Sequence, residues 1–195
     1  MAGIVLAGGR STRMGVDKAG LPYSGTTLLA HVATALASVL GTVVIVVARA
    51  PERYSVLGAR VVADAWPGAG PLGGIATGLR ALPEGHHVAA ACDMPHLRPE
   101  VTQVLLEAAR GWDAAVPVVG GRRQPLLAAY HTDCLPAFVA AIAEGRLAVH
   151  AALEAVRLRE VCEDELRSVD PDLRSFTNLN TPEDYHRAAS KGETT

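Results

Sequence analysis

A three-layer α/β sandwich around a mainly parallel sheet is the fold this sequence predicts. The first reason is alternation: short apolar runs and amphipathic, helix-periodic stretches follow one another along the 195 residues, the pattern of helices packed on both faces of a sheet. The second is the character of the apolar runs. Val43-Val44-Ile45-Val46-Val47 is β-branched at every position, and a run without polar alternation suits a parallel strand covered on both sides. The third is Gly120-Gly121, set between Val116–Val118 and Leu126–Tyr130. It reads as a turn or hairpin, so an antiparallel element joins the sheet there.

Taken in order, Gly3 to Leu6 is a short buried first strand, followed by a loop too polar to be core. Leu21-Pro22-Tyr23 reads as a connector. From Thr27 to Leu40 the residues Leu28, Leu29, Val32, Leu36, Val39 and Leu40 recur at helical spacing, and Gly41 ends the helix. Val43 to Val47 is the next strand, and Arg60 to Ala63 another, ending at Asp64. Gly70-Pro71 opens a helix to Leu82, with proline at its tolerated first position. Val88 to Cys92 is a buried strand ending at Asp93. Pro99 to Arg110 is an amphipathic helix on Val101, Val104, Leu105 and Ala108, and Ala114 to Val118 a strand. Helices follow over Thr132 to Glu144 and Ala148 to Ala155. Val156 to Cys162 alternates as a half-exposed edge strand does, and Thr181 caps a final helix entered through Pro182-Glu183-Asp184. Without repeats or linkers this is a single domain over 1–190, with 191–195 a flexible tail. A chain of this size buries roughly 70% of the surface its unfolded form exposes.

Composition excludes several classes. With 49% hydrophobic and 19% charged residues the chain is globular, and a net charge of −2 argues against a nucleic-acid face, which normally shows as a basic stripe. Arg122-Arg123 is too short to be one. The longest apolar run, Val43 to Ala48, falls far short of the ~20 residues of a membrane span, and no basic region precedes the first strand; a cytoplasmic protein is expected. Cys92, Cys134 and Cys162 form no C-x-x-C pair and are expected as reduced, mostly buried thiols. His86, His87 and His96 lie near Cys92 without zinc-ligand spacing, so they are expected as exposed turn histidines.

The chemistry concentrates in Leu6-Ala7-Gly8-Gly9-Arg10-Ser11-Thr12-Arg13-Met14-Gly15-Val16-Asp17-Lys18. Glycines let backbone N–H groups surround phosphate oxygens, while Arg10, Arg13 and Lys18 supply the charge a polyphosphate needs. The Walker A spacing is absent, because Gly9 and Gly15 are too far apart and Lys18 does not follow Gly15. The same residues also fit an ordinary basic strand-to-helix loop. Asp93, at the end of a buried strand, suits Mg²⁺, a hard ion held by one or two carboxylates plus substrate phosphates; its other reading is a turn cap before Pro95. Asn178 and Asn180 lie two apart on an extended segment, so both amides can address one ligand or a metal-bound phosphate. Alternatively Asn178 closes a turn and Asn180 assists the helix cap. Gln124 to Tyr130 reads either as a pocket wall or as core. In parallel α/β sheets ligands sit beyond the carboxyl ends of the strands, which gathers the loop at Gly8, Asp64 and Asp93 on one edge.

L-A-G-G-x-S-x-R-M-G-x-D-K resembles the signature loop of the molybdenum cofactor guanylyltransferases. Three further segments resemble that family's motifs in the same order: Gly70-Pro71-Leu72-Gly73-Gly74, Cys92 to Leu97, and Asn178 to Pro182. The resemblance covers nearly the whole chain. It implies a Rossmann-like sheet of the nucleotide-diphospho-sugar transferase kind, with Leu6, Ala7, Gly8, Gly9 and Lys18 around a nucleoside triphosphate and Arg13 and Lys18 on its phosphates. It implies Mg²⁺ on Asp93 and nucleotide contacts at Asp64, Gly70, Pro71 and Leu72. For guanine, a carboxylate such as Asp64 can accept both the N1–H and the exocyclic amine, and backbone in the glycine segment can read O6. Asn178 and Asn180 fall on the pterin side. The reaction implied is GMP transfer from GTP to molybdenum-molybdopterin, with Arg13, Lys18 and Asp93 catalytic; proteins delivering or receiving the cofactor are further expected partners. One departure stands out: guanylyltransferases of this type can place an asparagine near the end of the strand here written Val43 to Ala48. This chain has Val46-Val47-Ala48-Arg49, so a contact there comes from backbone or from Arg49. A cytidylyltransferase making the cytosine form of the cofactor, or a related transferase with another phosphorylated acceptor, is the near alternative. A non-catalytic nucleotide-binding or cofactor-delivery module is the alternative of another class.

Overall fold

A computed structural model describes residues 1–7, 18–47, 54 and 58–192. The strand β1 (Gly3–Leu6) is buried at every position. A single 3-10 turn over Lys18–Gly20 leads into a hairpin of β2 (Pro22–Tyr23) and β3 (Thr26–Thr27), where a bare connector was expected. Its turn is made by Ser24 and Gly25 at φ 46° and 75°. The helix α1 (Leu28–Leu40) starts where Thr27 Oγ1 accepts the Ala30 N–H at 3.2 Å and stops at Gly41, φ 71°, as side-chain N-caps and left-handed glycine C-caps do.

The chain continues through β4 (Val43–Val47), β5 (Arg60–Ala63), α2 (Gly70–Arg80), β6 (His86–Ala91), α3 (Pro99–Ala108), β7 (Ala114–Val119) and β8 (Arg122–Arg123). It then forms β9 (Leu127–His131), α4 (Cys134–Ala143), α5 (Val149–Ala152), β10 (Leu158–Val161), α6 (Glu163–Arg167) and α7 (Pro182–Gly192). The sheet is eight-stranded, in the order β10-β7-β9-β6-β1-β4-β5, with β8 on the end of β7. The pairs β1–β4, β1–β6, β4–β5 and β7–β10 are parallel. The antiparallel element is β9, inserted between β6 and β7 with Ala90 opposite Leu127 and Ala114 opposite Tyr130. Gly120 and Gly121, at φ 58° and 70°, turn β7 into β8 as two consecutive positive-φ residues can.

Alternate residues of the central strand point to different cores. Val5 packs with Leu29, Val32 and Leu36 of α1 and Val101 and Leu105 of α3, whereas Ile4 and Leu6 pack with Leu72, Ile75 and Leu79 of α2 and Phe138 of α4. These are the two faces of the sandwich. Tyr130 and Phe138 meet edge to face at 5.7 Å. The approach of α2 to β1 depends on glycine: a Cβ on Gly78 would lie 2.4 Å from Ile4 Cγ2, and one on Gly74 3.0 Å from Leu6 Cδ2.

Two expectations change. His86 and His87 lie inside β6 instead of an exposed turn, and His87 is fully buried. Its Nε2 meets the Pro83 carbonyl at 2.9 Å and its Nδ1 has no partner among the described residues; burial holds its pKa below the usual 6.5. Of the thiols only Cys134 is buried; Cys92 is half-buried and Cys162 exposed. The Cys134 thiol donates to the Asp113 carbonyl at 3.1 Å and is pushed up to about 12, by burial first and by Asp113 second. Among the described residues no helix is long and apolar enough to cross a membrane, and no group of His, Cys, Asp or Glu side chains is arranged to hold a metal by itself.

Candidate active site

Because β1, β4, β5, β6, β7 and β10 all run one way, their carboxyl ends share an edge. The Ala7 N–H donates to Val46 O at 2.9 Å and the Cys92 N–H to Leu6 O at 3.2 Å, so Leu6-Ala7 and Cys92-Asp93 leave the sheet side by side. Lys18 returns to that point. Its Nζ donates to Asp93 Oδ2 at 3.0 Å and to the Leu179 carbonyl at 2.6 Å, with the two side chains only 17% and 16% exposed. Such a partly desolvated pair interacts more strongly than a surface pair.

The same contact draws in the asparagines. The Leu179 N–H donates to the Asp93 carbonyl at 3.0 Å, and the Leu179 side chain is buried with Tyr23, Leu28 and Ala188. Asn178 is half-buried and its Oδ1 is a buried acceptor with no partner among the described residues. An acceptor in that state is costly unless something donates to it or coordinates it. Asn180 is exposed, and the cap of α7 is made without its side chain: Thr181 Oγ1 accepts the Asp184 N–H and Asp184 Oδ2 the Thr181 N–H, each at 3.1 Å.

Asp64 stands at the end of β5, on the same edge with β4 between it and β1. Its Oδ1 accepts the Trp66 N–H at 2.9 Å and the Thr77 hydroxyl at 3.0 Å. The Thr77 oxygen accepts the Ala65 N–H at 3.0 Å, and its proton also faces Gly73 O at 2.8 Å. Among the described residues both of these hydrogen bonds fall on Oδ1. A Cβ on Gly73 would lie 2.8 Å from Trp66 O, which binds the Asp64 turn closely to α2. Gly70, at φ 63°, and the exposed Pro71 open that helix, whereas Leu72 is wholly buried. A contact from Leu72 to a ligand is therefore a backbone one.

Sequence reasoning gathered the loop at Gly8, Asp64 and Asp93 on one edge; among the described residues Lys18 meets Asp93 and the carbonyl of Leu179, the residue between Asn178 and Asn180. It missed Thr77, whose only signal is its place one helical turn after Gly73. It also missed Asp170, Ser175 and Arg98, which link the Asp93 loop to the asparagine segment and carry no local signal. Leu127 to Tyr130 are core, while Gln124 to Leu126 sit half-buried at the edge. Gly8, Gly9, Arg10, Arg13, Gly15, Ala48, Arg49 and residues 193–195 lie outside the described residues.

A mostly parallel sheet of this order, with a lysine and a carboxylate meeting at its carboxyl edge, is the layout of an α/β protein that takes its ligand at that edge. Residues 3–161 match the MobA-like NTP transferase domain, and the chain belongs to that family. It is 36% identical over 191 residues to the probable molybdenum cofactor guanylyltransferase of Pelotomaculum thermopropionicum, across 98% of this chain and 93% of that one. It is likewise 36% identical over 189 residues to the probable molybdenum cofactor guanylyltransferase of Chloroflexus aggregans, across 94% and 91%. Among solved structures, the molybdopterin-guanine dinucleotide biosynthesis protein A of Archaeoglobus fulgidus superposes with a TM-score of 0.86 at 30% identity, covering all of both chains. The 2-C-methyl-D-erythritol 4-phosphate cytidylyltransferase of Thermus thermophilus, at 21% identity and a TM-score of 0.70 over 98% of each chain, shares the fold.

Proposed function

We propose that this nucleotidyltransferase moves GMP from GTP onto the terminal phosphate of molybdenum-bearing molybdopterin, forming the guanine dinucleotide cofactor and releasing pyrophosphate. The observation that carries the proposal is the contact of Lys18 Nζ with Asp93 Oδ2 and the Leu179 carbonyl. It brings together Lys18, the metal candidate Asp93 and the backbone of the segment proposed to meet the acceptor. The names of relatives at 36% identity over nearly the full chain support the choice of substrates.

The residues present fit Mg²⁺. Asp93 offers a carboxylate, and the unpartnered Asn178 Oδ1 is a second hard oxygen; a site of this kind is completed by substrate phosphates, so no larger acidic cluster is needed. Bound there, Mg²⁺ would supply positive charge to the triphosphate. Lys18, with Arg13, sets cationic groups against the phosphates and steadies the departing pyrophosphate. Asp64 Oδ2 addresses the base, and Asn178 and Asn180 orient the acceptor. An oxygen of the acceptor phosphate attacks the α-phosphorus in line, and the bond from that phosphorus to the β-phosphate oxygen breaks. The attacking oxygen of the acceptor phosphate is already ionised, so no general base is required, and catalysis is alignment and charge neutralisation.

The test is pyrophosphate release with molybdenum-loaded molybdopterin, Mg²⁺ and GTP, CTP or ATP in separate reactions. Release with GTP is the expected result. Preference for CTP would overturn the base assignment in favour of a cytidylyltransferase, and release with none of them would reduce the protein to a binding or delivery module.

A further inference from the structure

Between α6 and the asparagines runs a segment to which the mechanism above gives no part, yet it holds buried polar groups. Asp170 and Ser175 are both 0% exposed. Asp170 Oδ2 accepts the Ser175 N–H at 2.8 Å, and its carbonyl accepts the Leu173 N–H at 2.9 Å, closing a turn through Leu173 at φ 52°. The Ser175 oxygen then faces the Asp93 loop. It accepts the Arg98 N–H at 3.0 Å and donates to the His96 carbonyl at 3.3 Å. Arg98 completes the circuit, with Nε 3.6 Å from Asp170 Oδ1 and Nη1 donating to the Val169 carbonyl at 2.9 Å.

Adhesion does not account for this lacing. The segment is already held to the apolar core by Val169, Leu173 and Phe176. What the polar contacts add is register, because they join two stretches of backbone: the one leading from Asp93 through His96 to Arg98, and the one leading from Val169 and Asp170 through Ser175 to Asn178 and Leu179. The second stretch is tied to the first again where the Leu179 N–H meets the Asp93 carbonyl at 3.0 Å. Asp93 and Asn178 are thus carried on backbones laced at both ends. We propose that Asp170 and Ser175 are positioning residues, with Arg98 as their surface brace, that set the spacing of the Asp93 carboxylate and the Asn178 amide for a nucleotide-bound divalent cation. This rests on the reading of Asp93 as the metal ligand. Groups that orient ligands in this way typically change metal affinity 10–100-fold when removed.

Ser175→Ala deletes one oxygen and adds no bulk; Arg98→Met removes the brace from a half-exposed site. The probe is Mn²⁺, followed by electron paramagnetic resonance with GTP present, alongside GTP affinity without metal and the melting temperature. The expected result is Mn²⁺ affinity lowered about 10–100-fold in Ser175→Ala and in the same direction in Arg98→Met, with metal-free GTP affinity unchanged. A lower melting temperature with wild-type Mn²⁺ affinity in the folded variants would overturn the positioning role. If Ser175→Ala does not fold, Arg98→Met decides the matter. Asp93→Asn is measured in parallel: if it keeps wild-type Mn²⁺ binding, the ligand assignment fails and positioning falls with it. If it abolishes Mn²⁺ binding while Ser175→Ala and Arg98→Met do not change it, only positioning fails.

Discussion

Gly78→Ala sets two well-sized effects against each other. Alanine is favoured over glycine in a helix interior by about 1 kcal/mol. Against this, the new Cβ would stand 2.4 Å from Ile4 Cγ2 and 2.9 Å from both Cδ1 and Cγ1, far inside the roughly 3.5–4.0 Å at which carbon atoms attract. Ile4 cannot retreat easily: it is β-branched, hence stiff at χ1, and fully buried on the central strand. Overpacking of this kind costs about 1–3 kcal/mol, and the upper end applies, leaving a net loss of about 2 kcal/mol. In a domain of this size that lowers the melting temperature by roughly 4–8 °C. Gly74→Ala is the control. Its nearest neighbour is Leu6 Cδ2 at 3.0 Å, the tip of a flexible side chain, so helix propensity offsets most of the crowding. Adding Ile4→Ala to Gly78→Ala removes every atom in collision, and the double variant should lose about 1–2 kcal/mol less than the sum of the single losses. Urea titration of the four proteins measures this. A Gly78→Ala variant as stable as wild type, or strict additivity in the cycle, would refute the claim that close approach of α2 to β1 requires glycine at 78.

Lys18→Met should weaken GTP binding in calorimetry and leave the melting temperature of the free protein little changed; unaltered affinity would remove Lys18 from the site. Thr77→Val keeps the side chain's shape but strands the Ala65 N–H and leaves Asp64 Oδ1 with the Trp66 N–H alone, so KM for GTP should rise roughly tenfold, as loss of one hydrogen bond to a charged group implies, with kcat preserved. His87 is held neutral by burial, its folded pKa lying below the ordinary 6.5. The unfolded chain therefore binds the extra proton first, so stability is full above pH 6.5 or so and is lost as pH falls through the window down to the folded value. Urea midpoints at pH 7.5 and pH 5 should separate more for wild type than for His87→Leu, and equal separations would count against it.

What could be read from the residues was what local chemistry determines. The strand at Val43–Val47 announced itself because both of its faces are covered, and Gly120-Gly121 announced a turn because both residues need positive φ. Interactions between distant segments decided the rest. β6 starts at His86, two residues earlier than its apolar run, because His86 and His87 pair with His131 and Tyr130 of β9. The β2–β3 hairpin turns on Ser24, a residue type that does not advertise positive φ. α6 spans five residues, too few to show a period, and is set by its cap, with Glu165 accepting the Cys162 N–H at 3.0 Å. At the site, Lys18 and Asp93 were legible from their places after buried strands, but the Leu179 carbonyl that completes the contact was not. Gly73, Gly74 and Gly78 show the same limit from the other side. Glycine before and within a helix signals close approach without saying whether a ligand, a loop or a strand is what approaches.

The reversed strand β9 divides the sheet into two territories with a seam between them. Because β9 begins at the end where β6 finishes, with the Ala91 N–H donating to the Leu126 carbonyl at 2.9 Å, the chain from Gly120 to Leu126 overhangs the working edge as a hairpin excursion instead of a crossover. A hairpin excursion can lengthen or shorten without disturbing any parallel connection. What leans over one flank of the edge can therefore change in length while the β5-β4-β1-β6 flank keeps its dimensions.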